Sequence, residues 1–183
     1  VGSEMCIRDS LKINAQSFNS DKVHTLTPIS HDYIMKKGIL NCEMVLEMGN
    51  NMLTWDEFNP ALYKLTAELT NGKKKEVKQI QFGMREFAIK GKWFYVNGRQ
   101  TQLRGTVECC TFPLTGYPPT DVKSWERIFR ICRSSGLNHI RFHSYCPPEA
   151  AFIAADLVGI YLQPEGPAWP NHGVRLGNGA PID

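Results

Sequence analysis

Residues 136–165 read GLNHIRFHSYCPPEAAFIAADLVGIYLQPE, and this stretch decides the fold because two kinds of periodicity follow one another in it. Residues 137–142 predict a strand, and residues 160–163 predict a second strand. Between them a proline pair suits a helix start, and the apolar stripe of residues 151–158 recurs at helical spacing until Gly159. A strand, a helix and a strand with short returns predict parallel pairing through a right-handed crossover.

Toward the N-terminus, residues 121–136 predict another helix of the same kind. Asp121 can cap its start, and Gly136 stands where such a helix should stop. The apolar positions at helical spacing are Val122, Trp125, Ile128, Phe129 and Cys132. This order of elements predicts either an α/β barrel or a doubly wound sheet.

An unusually long loop, residues 107–120, separates this helix from the strand that we expect near Leu103. Connections between elements are usually ~2 to 6 residues long. Long strand-to-helix loops at one end of the sheet are where barrels hold their active sites. The loop therefore indicates which end of the sheet should carry the chemistry.

Residues 11–87 are typical of an antiparallel sandwich, because short alternating runs are separated by polar turns. The candidate strands cover residues 22–26, 38–47, 62–69 and 76–82, with turn residues at 49–51 and 71–72. Residues 1–10 show no strand or helix period and join abruptly to Leu11, so we set them apart as a non-native leader.

Residues 88–183 are interpreted as the start of a barrel. Within them, residues 92–96 and 99–103 flank Asn97-Gly98, which predicts a two-residue hairpin. We assign Trp93 of this hairpin to the core.

The composition is that of an ordinary globular protein, with 42% hydrophobic and 21% charged residues. The net charge of +3 is spread along the chain, and its densest run, at residues 73–75, reads as a solvated hairpin tip, so we predict no nucleic-acid partner. No apolar run approaches the roughly 20 residues that span a bilayer, so we predict no membrane partner. The six cysteines form no C-x-x-C pair, which argues against a zinc site. We predict no cofactor, since a divalent cation has no motif to support it.

The strand at residues 137–142 and its continuation have one polar face. Side chains alternate along a strand, so His139, Arg141 and His143 share a face. Burying a guanidinium and two imidazoles behind helices without partners would be costly. We therefore expect this face to look into a barrel mouth, with satisfied core or rim contacts as the alternative.

The following strand repeats the arrangement, since Tyr161, Gln163 and Glu165 share a face. Glu165 comes at the carboxyl end of that strand and can approach Arg141 if the two strands are neighbours. Such a carboxylate can bind sugar hydroxyls or a cation, or it can pair with Arg141 to hold the floor of the pocket. The residues leave both interpretations open.

Trp169 and Glu108 are further candidates near the expected mouth. The indole of Trp169 offers a flat face to a sugar ring, or else it packs under its loop. Glycoside hydrolysis needs two carboxylic groups, and Glu108, Glu149 and Glu165 are the acidic candidates near the expected mouth. Glu149 is explained by its place in the first turn of a helix, whereas Glu108, in the long loop, stays ambiguous.

Several strings of the chain resemble glycoside hydrolase family 2. Residues 55–63, WDEFNPALY, resemble the W-x-x-x-x-P-x-L-Y segment of the family's immunoglobulin-like domain, and residues 82–85, FGMR, are similar to the F-G-x-R that closes it. Residues 94–105, FYVNGRQTQLRG, resemble the hairpin before the barrel and the first barrel strand. GLNHIRFHS at residues 136–144 resembles the second strand, and DLVGIYLQPE at residues 156–165 resembles the passage into the third.

The resemblance implies an immunoglobulin-like β-sandwich followed by the first β/α units of an incomplete TIM (β/α)8 barrel. It also implies a retaining exo-β-glycosidase, β-galactosidase-like, acting on a carbohydrate substrate, and a periplasmic or extracellular location is compatible with it. Both catalytic glutamates would lie beyond residue 183. The substrate-binding residues would be Arg141, His143, Glu165, Trp169 and Glu108.

Two departures from the family pattern bear on the substrate. Many members carry a histidine a few residues after the first-strand R-G, where this chain has Glu108-Cys109-Cys110. Many members read R-x-S-H-Y-P where residues 141–147 read RFHSYCP. These departures favour a divergent, polysaccharide-degrading branch.

Two other functions remain as alternatives. The first is a non-catalytic carbohydrate-binding or scaffold module built around the sandwich. The second is a doubly wound domain that binds a phosphorylated ligand, and it lacks support because no glycine-rich phosphate loop follows a predicted strand.

Overall fold

The computed structural model of the chain describes residues 8–34 and 41–166. The described residues fall into two compact units. Unit 1 runs to Thr54 and includes Ala61–Met84, whereas unit 2 consists of Trp55–Pro60 and the residues from Arg85 onward. The short segment Trp55–Pro60 thus belongs to unit 2, although the residues on both sides of it in the sequence belong to unit 1. The predicted domain limits stay predictions.

The described strands of unit 1 form one four-stranded antiparallel sheet. In the order β2-β1-β3-β4 across the sheet, they are β1 (Arg8–Phe18), β2 (Ile29–Ile34), β3 (Leu62–Asn71) and β4 (Lys74–Phe82). β3 and β4 confirm the strands predicted at residues 62–69 and 76–82. The turn between them has Gly72 at φ 57°, a conformation that glycine adopts without steric cost.

The first strand corrects the interpretation of the N-terminus. Residues 8–10, which we set apart with the leader, belong to β1. Ser10 pairs with Thr70 of β3, and Asp9 is buried. The strand predicted at residues 22–26 is also wrong, because the strand pairing there is reduced to one isolated bridge between Thr25 and Gln16.

The strand predicted at residues 38–47 is wrong for the part that is described, since residues 41–49 form no strand. Residues 38–40 lie outside the described residues. Burial nevertheless alternates: Met44, Leu46 and Met48 are partly buried, while Val45 and Glu47 are exposed. The alternation of residues therefore predicts which side chains face the protein. It does not predict whether a neighbouring strand is available for hydrogen bonding.

One face of the sheet of unit 1 is mainly apolar, although Glu76 and Lys78 of β4 also lie on it. Leu11 lies in register with Leu69, and Leu65 lies beside Ile80. Leu69 and Ile80 are 41% and 51% exposed, so the outer part of this face is accessible in the described structure. An antiparallel sheet with one mainly apolar face is consistent with the predicted sandwich.

The first strands of unit 2 form a three-stranded antiparallel meander. Its strands are β5 (Phe87–Lys90), β6 (Trp93–Val96) and β7 (Arg99–Thr101). Asn97 and Gly98 have φ of 51° and 75°, so the predicted two-residue hairpin is confirmed. The assignment of Trp93 to the core is wrong, because this side chain is 46% exposed and lies under the ammonium of Lys92.

The rest of unit 2 alternates strands and helices, as predicted. The elements are β8 (Gly105–Glu108), α1 (Val122–Ser134), β9 (His139–Phe142), α2 (Glu149–Val158) and β10 (Tyr161–Pro164). β9 lies between β8 and β10, and both pairings are parallel. β8 lies after Leu103 rather than around it, so the first parallel strand was expected too early in the chain.

The ends of both helices follow the predicted signals. The carboxylate of Asp121 accepts the N–H of Ser124 at 2.9 Å, which caps α1. Gly159 has φ 83°, the left-handed conformation that ends α2. No helix in residues 8–34 and 41–166 combines the length and apolarity needed to cross a membrane.

The core of unit 2 lies on one face of the parallel sheet. Trp125 and Phe129 of α1 pack with Ile140 and Phe142 of β9, and all four are at most 2% exposed. Four alanines of α2 complete this cluster, since their small side chains let the helix approach the sheet closely. Both helices therefore cover the same face, and the opposite face is left to polar side chains.

Candidate sugar-binding site

The polar face of the parallel sheet, defined by His139, Arg141, Tyr161 and Gln163, has two rows in register. The lower row is Gly105, His139 and Tyr161, and the upper row is Val107, Arg141 and Gln163. Beyond the upper row, at the carboxyl end of the sheet, lie the residues that follow β9 and β10 in the sequence. The predicted alternation of β9 is confirmed, because Ile140 and Phe142 are buried while His139 and Arg141 are partly exposed.

Arg141 and Glu165 meet at the carboxyl end of the strands. The Nε of Arg141 donates to Oε1 of Glu165 at 2.5 Å. The two side chains are 42% and 28% exposed, so the pair lies at the rim of the polar face rather than in the core. The expected approach of the two residues is therefore present.

Glu165 is held by the loop after β9 as well. Its Oε2 accepts the backbone N–H of Ser144 at 2.8 Å, and its own N–H donates to the carbonyl of Tyr145 at 3.2 Å. The N–H of Ser144 and, next, the guanidinium of Arg141 hold the pKa of the Glu165 carboxyl below its usual value. Glu165 is thus an ionised, oriented acceptor, and it is not arranged as a proton donor.

His143 is placed beside this pair by β8 and by Ser144. Its backbone N–H donates to the carbonyl of Glu108 at 2.8 Å, and its Nδ1 lies 2.8 Å from the Ser144 hydroxyl. Ser144 itself has φ 62°, a conformation that costs energy for a residue with a Cβ. Nothing in the residue pattern singles out Ser144, because its role comes from its backbone.

His139 lies in the lower row, against β8. A Cβ on Gly105 would overlap the Nδ1 of His139 and would lie 3.2 Å from the His139 carbonyl oxygen. Glycine is thus needed there so that the ring can lie against the neighbouring strand. Burial lowers the pKa of His139, and a hydrogen bond with the Gln163 side chain partly opposes this effect.

One candidate site residue of the described part, Glu108, is not part of this group. Glu108 is the last residue of β8 and lies in register with Phe142, on the face that the helices cover. Its Oε1 accepts the N–H of Thr111 at 3.2 Å, so it shapes the loop instead of facing Arg141. Glu108 thus lies on the other face of the sheet from Arg141, and its part in binding a substrate stays a prediction. Trp169 lies outside the described residues.

The amino end of the parallel sheet carries a buried polar cluster that sequence reasoning does not find. The amide of Asn138 donates to the Glu57 carboxylate and to the carbonyl of Gln102 at 3.0 Å. Its amide oxygen accepts the N–H of Arg104 at 2.7 Å. Asn138 and Glu57 are 3% and 6% exposed, and a guanidinium nitrogen of Arg104 lies 3.9 Å from Glu57. Alternation places Asn138 opposite His139, but it cannot reveal a partner so far away in the sequence.

The segment Trp55–Pro60 also connects the last turn of α2 and the start of β10 with the meander. The indole N–H of Trp55 donates to the carbonyl of Asp156 at 2.8 Å, and its ring meets Tyr161 edge to face at 5.5 Å. The guanidinium of Arg85 lies 5.0 Å from the same ring. The side chain of Asn97 donates to the Trp55 carbonyl at 3.0 Å. Trp55 is therefore a central packing residue of unit 2.

A cavity of about 490 Å³ lies beside β10. His139, Tyr161 and Gln163 line it from the polar face, and Trp55 and Asp156 line it from the amino end and from α2. Its volume is in the range of small-molecule sites. Among the described residues no group of three or more His, Cys, Asp or Glu side chains is arranged to hold a metal ion.

Comparison with known proteins gives relatives that share part of this chain. No protein-family model matches it. The chain is 31% identical to a β-galactosidase of Staphylococcus xylosus over 127 residues, which are 69% of this chain and 12% of that protein. It is 30% identical to a β-galactosidase of Thermoanaerobacterium thermosulfurigenes over 126 residues, 68% of this chain and 17% of the relative. The chain thus spans less than a fifth of the length of these relatives.

Solved structures give the same relationship for the fold. A β-glucuronidase of Parabacteroides merdae superposes with a TM-score of 0.69 at 22% identity, over 88% of this chain and 20% of that one. A glycosyl hydrolase family 2 member of Bacteroides cellulosilyticus superposes with a TM-score of 0.63 at 20% identity, over 87% and 20% of the two chains. The chain is therefore related to glycoside hydrolase family 2 over the part that these likenesses cover.

Proposed function

We propose that this chain is part of a retaining exo-β-glycosidase, β-galactosidase-like, that hydrolyses O-glycosidic bonds of carbohydrates. The observation that carries the proposal is the Arg141–Glu165 pair at the carboxyl end of parallel strands. Enzymes built on barrels of parallel strands bind their substrates at this end. The β-galactosidases with which the chain shares about 30% identity support a sugar as the substrate.

We infer that the parallel strands are the first units of a TIM barrel and that the sheet of unit 1 is a layer of an immunoglobulin-like sandwich. Both described helices cover one face of the parallel sheet, and the other face is polar. A doubly wound sheet is covered by helices on both faces, whereas the inner face of a barrel lies against other strands. The two-sided character of this sheet therefore favours the barrel.

In this proposal the described residues bind the sugar and do not carry out the bond cleavage. Glu165 is engaged by Arg141 and Ser144, and its lowered pKa does not suit a general acid near neutral pH. Glu108 faces the helices. In keeping with the resemblance to glycoside hydrolase family 2, we place the acid/base and the nucleophile on glutamates beyond residue 183. Arg141, His143 and Glu165 form part of the pocket wall.

The test uses the full-length product of the gene that encodes this chain, with the 183-residue chain beside it. Hydrolysis of 4-nitrophenyl β-D-galactoside, β-D-glucuronide and β-D-mannoside is followed by absorbance, and the anomer formed first is identified by proton NMR. We expect the full-length protein to release the β-anomer from at least one of them, and the 183-residue chain to release none. Inversion, or turnover by the 183-residue chain, contradicts the proposal.

The role of the polar face is tested by Arg141→Ala, with Arg130→Ala as a matched control. Arg130 also pairs with a glutamate, at 3.2 Å, but on the exposed side of α1. We expect Arg141→Ala to lower kcat/KM roughly 100-fold, because misplaced pocket groups have effects of this size, and Arg130→Ala to leave it unchanged. Equal activities of the two variants would show that Arg141 has no part in the pocket.

A further inference from the structure

Two adjacent cysteines, Cys109 and Cys110, follow β8 directly, at the carboxyl end of the parallel sheet. Both residues are exposed, and both thiols are free. They belong to the long loop of residues 107–120, and the proposed function gives them no role. Two accessible thiols therefore lie one residue away from Glu108, whose carbonyl binds His143 of the polar face.

The backbone at the two cysteines is not extended. Along a strand, neighbouring side chains point in opposite directions. The chain instead bends at Cys110, which has φ 57°, a left-handed conformation that residues with a Cβ seldom adopt. A residue with this φ after a strand is typical of a turn. The geometry of a strand therefore does not hold the two sulfurs apart.

Contacts on both sides of the pair maintain this bend. Oε1 of Glu108 accepts the backbone N–H of Thr111 at 3.2 Å, so the Glu108 side chain bridges the two cysteines. Phe112, the next residue, meets Trp125 edge to face at 6.0 Å and packs against the core of unit 2. Costly backbone conformations persist where the surroundings enforce them.

The carboxylate of Glu108 makes a metal ion the first chemistry to consider at the pair. Its Oε2 is buried and has no hydrogen-bond partner among the described residues. Together with the two thiols it would supply three ligands. In residues 8–34 and 41–166, however, no group of three His, Cys, Asp or Glu side chains is arranged to hold a metal ion. The structure therefore favours chemistry between the two sulfurs themselves.

We propose that Cys109 and Cys110 form a redox modification site, at which a small-molecule disulfide oxidises the two thiols to one disulfide between adjacent residues. The thiolate of one cysteine attacks a sulfur of the small disulfide, and one thiol leaves. The other cysteine then attacks the protein sulfur of this mixed disulfide, and the second thiol leaves. Two electrons thus pass to the small disulfide, and the two cysteine protons end on the released thiols.

The order of these two attacks follows from the surroundings of Cys110. Desolvation, and next the charge of Glu108, raise the pKa of the Cys110 thiol. The thiolate is the nucleophile, so Cys110 is the less ready to attack. We therefore expect Cys109 to react first and Cys110 to close the ring.

A disulfide between adjacent residues is easily reversed. The Cα atoms of neighbouring residues lie about 3.8 Å apart, whereas disulfides usually join Cα atoms that are about 4.4–6.8 Å apart. The ring is therefore strained, and strained, exposed disulfides are the labile and regulatory ones.

Closure of the ring can reach the proposed pocket through Glu108. The carbonyl of Glu108 accepts the backbone N–H of His143 at 2.8 Å, and this carbonyl is bonded directly to the nitrogen of Cys109. A change of backbone at the cysteines therefore moves the acceptor that holds His143 beside Arg141 and Glu165. The modification site is independent of the proposed function, whereas this effect on the pocket rests on it.

The experiment maps the thiols of the full-length protein after incubation with oxidised glutathione. Remaining thiols are blocked with N-ethylmaleimide, and the protein is digested with trypsin. Cleavage after Arg104 and Lys123 releases residues 105–123, in which Cys109 and Cys110 are the only cysteines. We expect mass spectrometry to show this peptide unblocked and two hydrogens lighter than its reduced form, and dithiothreitol to restore both thiols. Cys146→Ser, which removes the exposed cysteine of the loop after β9, is the control and should give the same peptide.

The effect on the pocket is measured on the 4-nitrophenyl glycoside that the full-length protein hydrolyses fastest. We expect oxidation to lower kcat/KM roughly 10- to 100-fold, because misplaced pocket groups have effects up to this size, and dithiothreitol to restore it. The double variant Cys109→Ser with Cys110→Ser should have the activity of the reduced wild type before and after oxidation.

The outcomes separate the site from its effect. A peptide with two blocked cysteines, a lasting glutathione adduct or a link to another cysteine overturns the modification site. The ring with an unchanged kcat/KM overturns its effect on the pocket alone. If the protein hydrolyses no glycoside, the proposed function and the effect on the pocket both fail, and the mass of the peptide still decides the modification site.

Discussion

At the scale of single residues, Glu165 is oriented by two partners of different kinds. Arg141 supplies charge, and the Ser144 N–H supplies a fixed direction because Ser144 adopts a left-handed backbone conformation. Together they keep the carboxylate ionised and aimed along the rim of the polar face. The carboxylate and the guanidinium therefore form one unit, in which a change to either residue alters the other.

Glu165→Gln tests this unit. The amide oxygen can still accept the Ser144 N–H, but Arg141 loses its counter-ion and is free to turn. We expect the kcat/KM of the full-length enzyme on its best 4-nitrophenyl glycoside to fall roughly 100-fold, with the fold retained in circular dichroism. Glu126→Gln, which breaks the exposed pair with Arg130, is the control. Equal kinetics for Glu165→Gln and the wild type would refute the role of the pair.

Gly105→Ala tests the close contact with His139. The added methyl group would occupy the place of the imidazole, so the ring or the strand must shift. We expect the free energy of unfolding, measured in urea, to decrease by about 1–3 kcal/mol. Combining it with His139→Ala should recover part of that loss, since the obstacle is removed. Additive effects of the two substitutions would show that they do not meet.

The sequence predicts part of this site. Alternation along two strands places Arg141 and Glu165 on matching faces, because side-chain direction follows directly from strand geometry. The sequence does not show that Glu108 lies on the face that the helices cover, because a shift of the strand end by a few residues changes the face on which a side chain lies. Ser144 is missed, since a contact made by the backbone leaves no residue-type signal.

At the scale of elements, the register of β9 depends on Asn138 at its amino end. Its side chain satisfies two backbone groups and the Glu57 carboxylate, so Asn138 connects three segments. A buried carboxylate without such partners is costly. The amide is therefore what allows Glu57 to be buried next to the sheet.

Asn138→Ala should lower the free energy of unfolding by about 3 kcal/mol, because it leaves a buried carboxylate and two backbone groups without this partner. Asn138→Asp should be more harmful, since it puts a second carboxylate against Glu57. Adding Glu57→Gln to the aspartate variant should restore stability. Urea unfolding followed by tryptophan fluorescence measures all three, and an aspartate variant as stable as the wild type would contradict the contact.

The hairpin between β6 and β7 offers a second test of an element. Asn97 has φ 51°, and its side chain also bonds the Glu86 N–H at 2.9 Å and the Trp55 carbonyl at 3.0 Å. Asn97→Gly keeps the turn but loses both bonds, so we expect a loss of about 1–2 kcal/mol in unfolding free energy. Asn97→Ala adds the steric cost of the left-handed conformation, about 1 kcal/mol more. An alanine variant at least as stable as the glycine variant would rule out this account.

The elements that the sequence predicts well are those whose ends are marked by turn or capping residues. β3, β4, α1, α2 and the hairpin at Asn97 are each bounded by a glycine, an asparagine or a capping residue, and such signals are local. β1 lacks them, and its partners lie about 50 residues away in β3. The strand predictions at residues 22–26 and, for the described part, at residues 38–47 are wrong for a different reason. A suitable residue pattern forms a strand only when a neighbouring strand is available to pair with it.

At the scale of the whole molecule, pH acts on stability through groups whose pKa changes on folding. Burial lowers the pKa of His139 below its ordinary 6.5, so the unfolded chain binds that proton more readily. The contribution of His139 to the free energy of unfolding is complete above about pH 6.5. It is lost as the pH falls through the pKa that His139 has in the folded state. Glu165, with a pKa below its ordinary 4.5, acts in the same direction at lower pH. Burial raises the pKa of Asp156 above 3.8, so its contribution is present in acid and lost as the pH rises.

Between pH 7 and pH 5 we therefore expect the free energy of unfolding to decrease, with His139 as the principal described cause. His139→Gln should make this decrease smaller, whereas His31→Gln, at an exposed position of β2, should leave it as in the wild type. Urea titrations at several pH values measure the slopes. Identical slopes for His139→Gln and the wild type would mean that the ring is not buried as described.

The membership of Trp55–Pro60 in unit 2 has a practical consequence for anyone subcloning this gene. A recombinant fragment that starts at Arg85 lacks the indole, and the Asp156 carbonyl, the Asn97 amide and the Arg85 guanidinium then lose a shared partner. No single cut in the coding sequence separates the two units cleanly. An isolated unit 2 requires residues 55–60 to be grafted ahead of residue 85 through a short linker.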